Sequence, residues 1–292
     1  DELTLPMLFL VLGLVVTHGT ARAESLEGAG RPASVALPEG YDGTRELPLV
    51  LQLHGYGMSG RSMDRYVEGS GLVTERDFIL VMPEGRRNPG GKRFWNATEA
   101  CCDIFRSGVD DQAYLLGLIA EAKERYSVDA GRVYLVGYSN GGFMSHTLAC
   151  QAAGQVTALV SLAGSTHHDE TACTPTQPVA VLQVHGTDDR TVRYEGGRIW
   201  GKPYPGAEAL TTRWASLNGC GQPVSRGSVD LLGDEQAETD RVGYQGCPEL
   251  GQVQLWTMND QPHYDLSIGE SRLLEEALDF LFAFDRTPPG DD

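Results

Sequence analysis

Short apolar runs bounded by glycine, proline and acidic residues alternate along the chain with longer stretches whose apolar residues recur at helical spacing. The runs at 33–36, 47–53, 79–82, 133–137, 158–162, 179–184 and 253–258 read as strands. Helices are expected from Met63 to Arg65 onward and over 110–126, 141–151, 207–217 and 271–284. The second of these carries a start signal, Ser107-Gly108-Val109-Asp110, followed by apolar Leu115, Leu116, Ile119 and Ala122. Such alternation predicts an α/β fold, a mostly parallel central sheet flanked by helices. With no internal repeat, low-complexity tract or Pro/Ser-rich linker, the chain reads as one domain over 24–286, without a large lid domain, followed by a polar tail at 287–292.

The first segment breaks this rhythm. An apolar run at 5–16 precedes the small-x-small triplet Ala21-Arg22-Ala23, so 1–23 is expected to be an export signal with Glu24 as the first mature residue. Asp1 and Glu2 stand where such signals carry Lys or Arg, and a membrane anchor is the alternative. Against the anchor, the run is shorter than the roughly 20 residues a spanning helix needs. The expectation is a secreted protein, extracellular or periplasmic, that leaves the membrane once the signal is removed.

Charge and cysteine usage narrow the partners. The 292 residues carry 23 Lys plus Arg against 40 Asp plus Glu, a formal charge of -17 that disfavours nucleic acid and anionic membranes. Partners are expected to be neutral or cationic small molecules or polymers, and the protein a monomer. Six cysteines behind an export signal imply disulfides, and their spacing does not suit a metal. Cys220 and Cys247 lie in the long segment between the strands at 179–184 and 253–258, which has little apolar periodicity of its own, and are expected to pair. Cys150 ends one helix and Cys173 precedes the next strand, which makes them the second pair. Cys101 and Cys102 remain, either as free thiols or bonded to each other.

The strongest chemical signal is Gly137-Tyr138-Ser139-Asn140-Gly141, a G-x-S-x-G between an apolar strand and a helical run. Glycines there permit a tight strand-to-helix turn that leaves the serine hydroxyl exposed, as in α/β-hydrolases. A serine hydroxyl is a weak nucleophile and needs a base, itself oriented by an acid. In this fold the chain order is Ser, then Asp or Glu, then His.

Of seven histidines, at 18, 54, 146, 167, 168, 185 and 263, only His263 lies downstream of a plausible acid, in the loop after the last strand. His18 falls in the export segment. His54 and His185 end strands inside His-Gly pairs and read as structural. His146 reads as a helix residue, and His167 and His168 as exposed loop. The acid should follow the strand at 179–184, where both Asp188 and Asp189 are candidates. Oxyanion donors are expected from the backbone N–H of Asn140, after the nucleophile, and of Tyr56, in the loop His54-Gly55-Tyr56-Gly57. Aromatic walls for a substrate are expected from Trp95, Trp200 and Tyr56, with Tyr194 and Tyr204 near the same strand ends.

Taken together, Pro48-Leu49-Val50 through His54-Gly55, Val81-Met82-Pro83-Glu84-Gly85, Trp95-Asn96-Ala97, Cys101-Cys102, Val109-Asp110-Asp111, Arg132 to Gly142, Leu148-Ala149-Cys150 and His185-Gly186-Thr187-x-Asp189 resemble the extracellular polyhydroxybutyrate depolymerase and feruloyl esterase group of α/β-hydrolases. The resemblance spans roughly residues 30 to 265. It implies hydrolysis of carboxylic esters without metal or organic cofactor, by secreted enzymes acting on polyhydroxyalkanoates or on feruloyl and acetyl esters of plant polysaccharides. The pattern His-Gly-Thr-x-Asp places the acid on Asp189. One departure concerns the base: the group often shows Gly-Gly-His-Thr-Trp-Pro, whereas this chain reads Gln261-Pro262-His263-Tyr264-Asp265, so the pocket wall on that side differs. Two rival readings are a serine peptidase on the same fold, which uses the same three groups, and a non-catalytic binding protein that retains the fold.

Overall fold

The structure, a computed structural model, describes residues 22–233, 235–263 and 272–286. The apolar run at 5–16, His18, Tyr264, Asp265, the start of the last expected helix at Ser271 and the tail at 287–292 lie outside the described residues.

Fourteen strands and six α-helices are formed among the described residues. The strands are β1 (Arg22–Leu26), β2 (Ala33–Leu37), β3 (Leu47–Leu53), β4 (Ile79–Met82), β5 (Arg86–Arg87), β6 (Arg93–Phe94), β7 (Val128–Tyr138), β8 (Ala158–Leu162), β9 (Ala180–Gly186), β10 (Gly196–Ile199), β11 (Lys202–Pro205), β12 (Pro223–Val229), β13 (Thr239–Tyr244) and β14 (Val253–Met258). The helices are α1 (Gly60–Val67), α2 (Gly69–Arg76), α3 (Asp111–Arg125), α4 (Asn140–Gln151), α5 (Ala207–Leu217) and α6 (Leu273–Phe282). Ten strands form one sheet in the order β1-β2-β4-β3-β7-β8-β9-β14-β13-β12. The run from β4 to β14 is parallel throughout, and antiparallel strands close both edges. β5 with β6 and β10 with β11 make two small separate hairpins.

The parallel strands are apolar on both faces because both are covered. Leu49, Leu51, Val133, Leu135 and Val181 face one core, shared with Leu115 of α3, Phe143 and Leu148 of α4 and Trp214 of α5. Their neighbours Val50, Tyr134, Val136 and Leu182 face the other, against Met63 of α1, Val73 of α2 and Leu278 of α6. This side-to-side alternation gives a three-layer α/β/α sandwich. Every parallel strand therefore ends at one edge of the sandwich, where ligands bind in folds of this kind.

Several expected elements differ in detail. β7 begins at Val128 rather than 133, and β9 runs on to Gly186. The helix from Met63 is two helices, broken at Glu68, whose φ of 55° stops the first. α3 is capped by Asp110, which accepts from the Ala113 N–H at 2.9 Å, while Ser107 bonds Asp103 instead. Between β9 and β14, α5 forms over the expected 207–217, and the edge strands β12 and β13 are added where no strand was expected. β12 is almost wholly exposed, so it shows no apolar alternation, and the ladder to β13 holds it in place.

The three disulfides are Cys150–Cys173, Cys220–Cys247 and Cys101–Cys102, and no described cysteine is free. The last joins neighbours across a cis peptide. Closing the loops of 23 and 27 residues by the first two contributes about 3 kcal/mol each in the chain-entropy model.

Candidate active site

Ser139 sits at the turn from β7 into α4 with φ 54° and ψ -117°, a conformation that non-glycine residues rarely adopt. Its N–H donates to Leu162 O at 2.8 Å, and its carbonyl accepts the Phe143 N–H at 3.1 Å. The flanking glycines are required by contact. A Cβ on Gly137 would lie 2.2 Å from Gly141 O, and one on Gly141 would lie 2.0 Å from Leu53 O and 2.8 Å from His54 O. The turn is therefore pressed against the end of β3, which carries the loop containing Tyr56.

Two more loops meet above it. The Thr187 N–H donates to Met258 O at 3.0 Å, and the Asp188 N–H to Gln261 O at 3.1 Å. The Asp260 N–H donates to Thr187 Oγ1 at 2.8 Å. A Cβ on Gly186 would lie 2.0 Å from Gln261 O, so only glycine allows this approach. The loops after β9 and β14 are thereby zipped together, and Asp189 and His263 are brought into contact. His263 Nδ1 lies 2.6 Å from Asp189 Oδ2, and His263 Nε2 lies 3.0 Å from Ser139 Oγ. A carboxylate only accepts, so Nδ1 carries the proton and Nε2 is left to accept from the serine hydroxyl.

Asp189 is buried and fully engaged. Its Oδ1 accepts the Thr191 and Val192 N–H groups at 2.8 and 2.9 Å. Burial alone would raise this carboxyl, but hydrogen bonds from His185 and His263, and their charges, outweigh it and hold Asp189 well below the usual carboxylate range. Asp188 is exposed and pairs with Arg190 at 3.3 Å. Of the two candidates, the structure brings Asp189 to His263 and leaves Asp188 outside.

A buried polar chain that the sequence did not disclose runs on from Asp189. His185 Nε2 faces two acceptors, Val192 O at 2.7 Å and Asp189 Oδ2 at 3.3 Å, so it carries a proton. His185 Nδ1 then accepts from Gln183 Nε2 at 3.0 Å. Gln183 Oε1 accepts from His146 Nε2 at 3.1 Å, and His146 Nδ1 accepts from the Trp214 indole at 3.0 Å. Each tautomer fixes the next, and all four side chains are buried. His146 and His185, read as helix and strand-end residues, are the interior supports of the acid. Tyr138 is another missed contributor: its hydroxyl donates to His263 O at 2.6 Å.

On the other flank, Asn140 is buried. Its side chain accepts the Trp95 N–H at 2.8 Å and donates to Trp95 O at 3.0 Å and to Cys101 Sγ at 3.4 Å. Trp95 corrects an expectation. It is 0% exposed and its indole donates to His54 O at 2.8 Å, so it offers no face to a substrate and instead braces the loop beside the serine. Trp200, in contrast, is 59% exposed, and its ring centroid lies 6.1 Å from that of half-buried Tyr56. Tyr204 is buried and accepts the Arg193 N–H at 2.8 Å, which removes it from the list of exposed walls, whereas Tyr194 is half-buried and its hydroxyl is held by Thr257 Oγ1 at 2.8 Å.

A cleft of about 610 Å³ opens beside these groups, lined by Ala100, Cys101, Cys102, Ile104, Arg106 and Trp200 among others. Since Cys101 touches Asn140, the disulfide is the wall between cleft and turn. His54 is buried against Gly55 O and the Gly85 N–H, and His167 Nδ1 meets Glu99 at 2.9 Å. Among the described residues, no group of three or more His, Cys, Asp or Glu side chains could hold a metal ion, and no helix is long and apolar enough to cross a membrane. A serine, imidazole and carboxylate in this geometry can pass the serine proton to the imidazole during attack on a carbonyl.

Residues 42–200 match the Phospholipase/Carboxylesterase family. The chain is 30% identical to feruloyl esterase B of Piromyces equi over 202 residues, which cover 66% of this chain and 37% of that protein. It is 25% identical to feruloyl esterase D of Neurospora crassa over 266 residues, 86% of this chain and 80% of that protein. In fold it is similar to an acetyl xylan esterase from Aspergillus awamori, with a TM-score of 0.65 and 12% identity over 91% of this chain and all of that one.

Proposed function

Since the chain belongs to the phospholipase/carboxylesterase family, we propose that it is a secreted serine esterase that cleaves feruloyl, acetyl or hydroxyalkanoate esters through an acyl-enzyme. The observation that carries this reading is the contact series from Asp189 through His263 to Ser139, 2.6 and 3.0 Å long, on a turn that exposes the serine. In the proposed reaction Ser139 Oγ attacks the ester carbonyl while its proton passes to His263 Nε2, and Asp189 steadies the imidazolium that forms. The negative charge arising on the carbonyl oxygen is met by the backbone N–H groups of Asn140 and Tyr56. As the oxyanion collapses, the ester C–O bond breaks and the alcohol leaves with the His263 proton. A water molecule, deprotonated by the same imidazole, then releases the acid from Ser139.

Three disulfides among the described residues fit an oxidising compartment and support secretion. The names of the relatives favour feruloyl and acetyl esters over polyesters. Maturation after Ala23 would fall inside β1 and leave Glu24 to Leu26 paired with β2.

The test is a turnover panel of methyl ferulate, p-nitrophenyl acetate and butyrate, and polyhydroxybutyrate film, run beside aminoacyl nitroanilides. Ester turnover without amide cleavage is expected, with a fluorophosphonate probe labelling Ser139. Amide cleavage at comparable rates would make the protein a peptidase. A folded protein that the probe does not label would be a binding protein.

A further inference from the structure

Exposed cations and exposed apolar side chains meet around the cleft and a second hollow beside it. Of the large apolar side chains exposed among the described residues, Ile104, Phe105 and Trp200 stand there, and only Leu217 stands elsewhere. Ile104 and Arg106 line the 610 Å³ cleft, whereas Phe105 lines a second hollow of about 440 Å³ together with Arg86 and Arg87. Residues 104–106 are thus a ridge between two hollows. The β5–β6 hairpin that carries Arg86, Arg87 and Lys92 is tied to Tyr56, since Asn88 Nδ2 donates to its hydroxyl at 2.9 Å and Lys92 Nζ lies 5.8 Å from its ring centroid. Tyr56 in turn meets Trp200.

Arg86, Arg87, Lys92, Arg106 and Lys202 are exposed and pair with no acidic side chain among the described residues. Of the acids nearby, Glu99 and Asp103 line the same cleft as Arg106 and Lys202 and balance them there, so the excess of cations lies at Arg86 and Arg87 over the second hollow and at Lys92 beside Tyr56. Glu84 pairs with Arg93, Glu99 with His167, and Asp103 accepts from the Ser107 N–H and hydroxyl and from the Gly108 N–H. On a chain of formal charge -17 this excess is local to the side of the second hollow. The overall charge therefore misleads here, because a focused positive rim selects anions whatever the sign of the rest.

Resting on the esterase reading above, we propose that the two hollows bind a polysaccharide carrying uronic-acid carboxylates, along which the scissile ester is presented. A single terminal carboxylate, as on a polyester oligomer, would meet one cation at a time, whereas a chain with a charge on successive sugars meets the rim as a series. Trp200 and Phe105 provide flat apolar faces for the sugar rings between the charges.

Binding is measured first, by isothermal titration of the full chain with polygalacturonate, with a neutral arabinan of similar length and with duplex DNA. Polygalacturonate is expected to bind, more weakly as salt rises from about 20 to about 300 mM, while arabinan and DNA bind at least about tenfold more weakly. The double variant Arg86→Gln with Arg87→Gln, both exposed, should lose about tenfold in affinity for polygalacturonate. The same variant should keep its turnover of p-nitrophenyl acetate and lose kcat/KM only on feruloylated uronate oligosaccharides. Equal binding of arabinan, equal binding of DNA, or an unchanged double variant would overturn the proposal. Binding needs no turnover, so its failure beside intact p-nitrophenyl acetate hydrolysis strikes this inference alone, and failed hydrolysis beside intact binding strikes the esterase reading alone.

Discussion

The hydroxyl of Tyr138 donates a 2.6 Å hydrogen bond to the carbonyl oxygen of His263, so the residue before the serine holds the backbone of the imidazole that faces it. The Tyr138 ring is buried and its centroid lies 5.3 Å from that of His263. Tyr138→Phe keeps the ring and removes this bond. A net loss of about 1 kcal/mol of positioning lowers kcat on p-nitrophenyl acetate by roughly five- to tenfold, with KM little changed. An unaltered kcat would mean that Asp189 and the loop at 259–262 orient the imidazole without this bond.

Asp189 and Asp188 separate cleanly. Asp189→Asn replaces the acceptor of the His263 Nδ1–H by an amide that stabilises the wrong tautomer, and kcat falls by about 10⁴ in a protein that remains folded. Asp188 is exposed beside Arg190, so Asp188→Asn stays within about tenfold of wild type. Circular dichroism on both variants checks folding, and the opposite ranking of rates would move the acid to Asp188.

What the sequence disclosed and what it withheld divide along physical lines. The parallel strands were legible because they are covered on both faces and therefore apolar at every position, as in Leu47–Leu53. β12, exposed along nearly its whole length, and β1, which buries only Leu26, carry no such signal. Ser139 announced itself through glycines that contact demands, and His263 through chain order. Gln183, His146 and Tyr138 did not, because a buried polar side chain in an apolar strand or helix has no local pattern and its partners lie 37 and 125 residues away. Trp95 was misread for the converse reason: an aromatic near the strand ends serves a wall or a brace equally well, and only burial decides.

Glycines on the turn and glycines elsewhere should respond oppositely. A Cβ on Gly137 would stand 2.2 Å from Gly141 O and 2.4 Å from Ser145 Oγ, so Gly137→Ala must displace the first turn of α4 that carries the serine. Overpacking of this kind costs about 1–3 kcal/mol, and a shift approaching 1 Å at the nucleophile costs roughly 10² in rate. Gly117, in the middle of α3, has nothing within 4 Å of its added Cβ. Gly117→Ala is therefore expected to raise stability by about 0.5–1 kcal/mol with activity unchanged. Urea midpoints and p-nitrophenyl acetate rates on the pair test this, and a Gly137→Ala protein with wild-type kcat would refute the steric account of the turn.

Two buried histidines set how the fold tolerates acid. Burial pushes the imidazoles of His54 and His146 from 6.5 down to about 4, only partly offset by a hydrogen bond to Gly55 O in the first and to Gln183 in the second. In each ring one nitrogen donates and the other accepts, from the Gly85 N–H in His54 and from the Trp214 indole in His146, so an added proton would face a donor. The unfolded chain takes up these protons near pH 6.5, whereas the folded chain resists until about pH 4. Between those values the unfolded state binds more protons, so stability rises with pH and is lost as pH falls. Each histidine forfeits on the order of 3 kcal/mol across the window, and together they give a slope of up to about 2.7 kcal/mol per pH unit. Asp189 acts in a different range: its depressed carboxyl stabilises the fold above the ordinary carboxylate value near 3.8 and adds its loss only as pH falls below that. Urea midpoints at about pH 7.5, 6, 5 and 4.5 should therefore decline steeply before the Asp189 carboxylate is protonated. In His146→Gln, less stable at neutral pH, the slope should fall by about half, because one of the two resisting imidazoles is gone. A wild-type stability that stayed flat from pH 6.5 to 4.5 would mean that the interior around β9 and α4 admits the proton, and with it that the chain of fixed tautomers behind Asp189 does not hold.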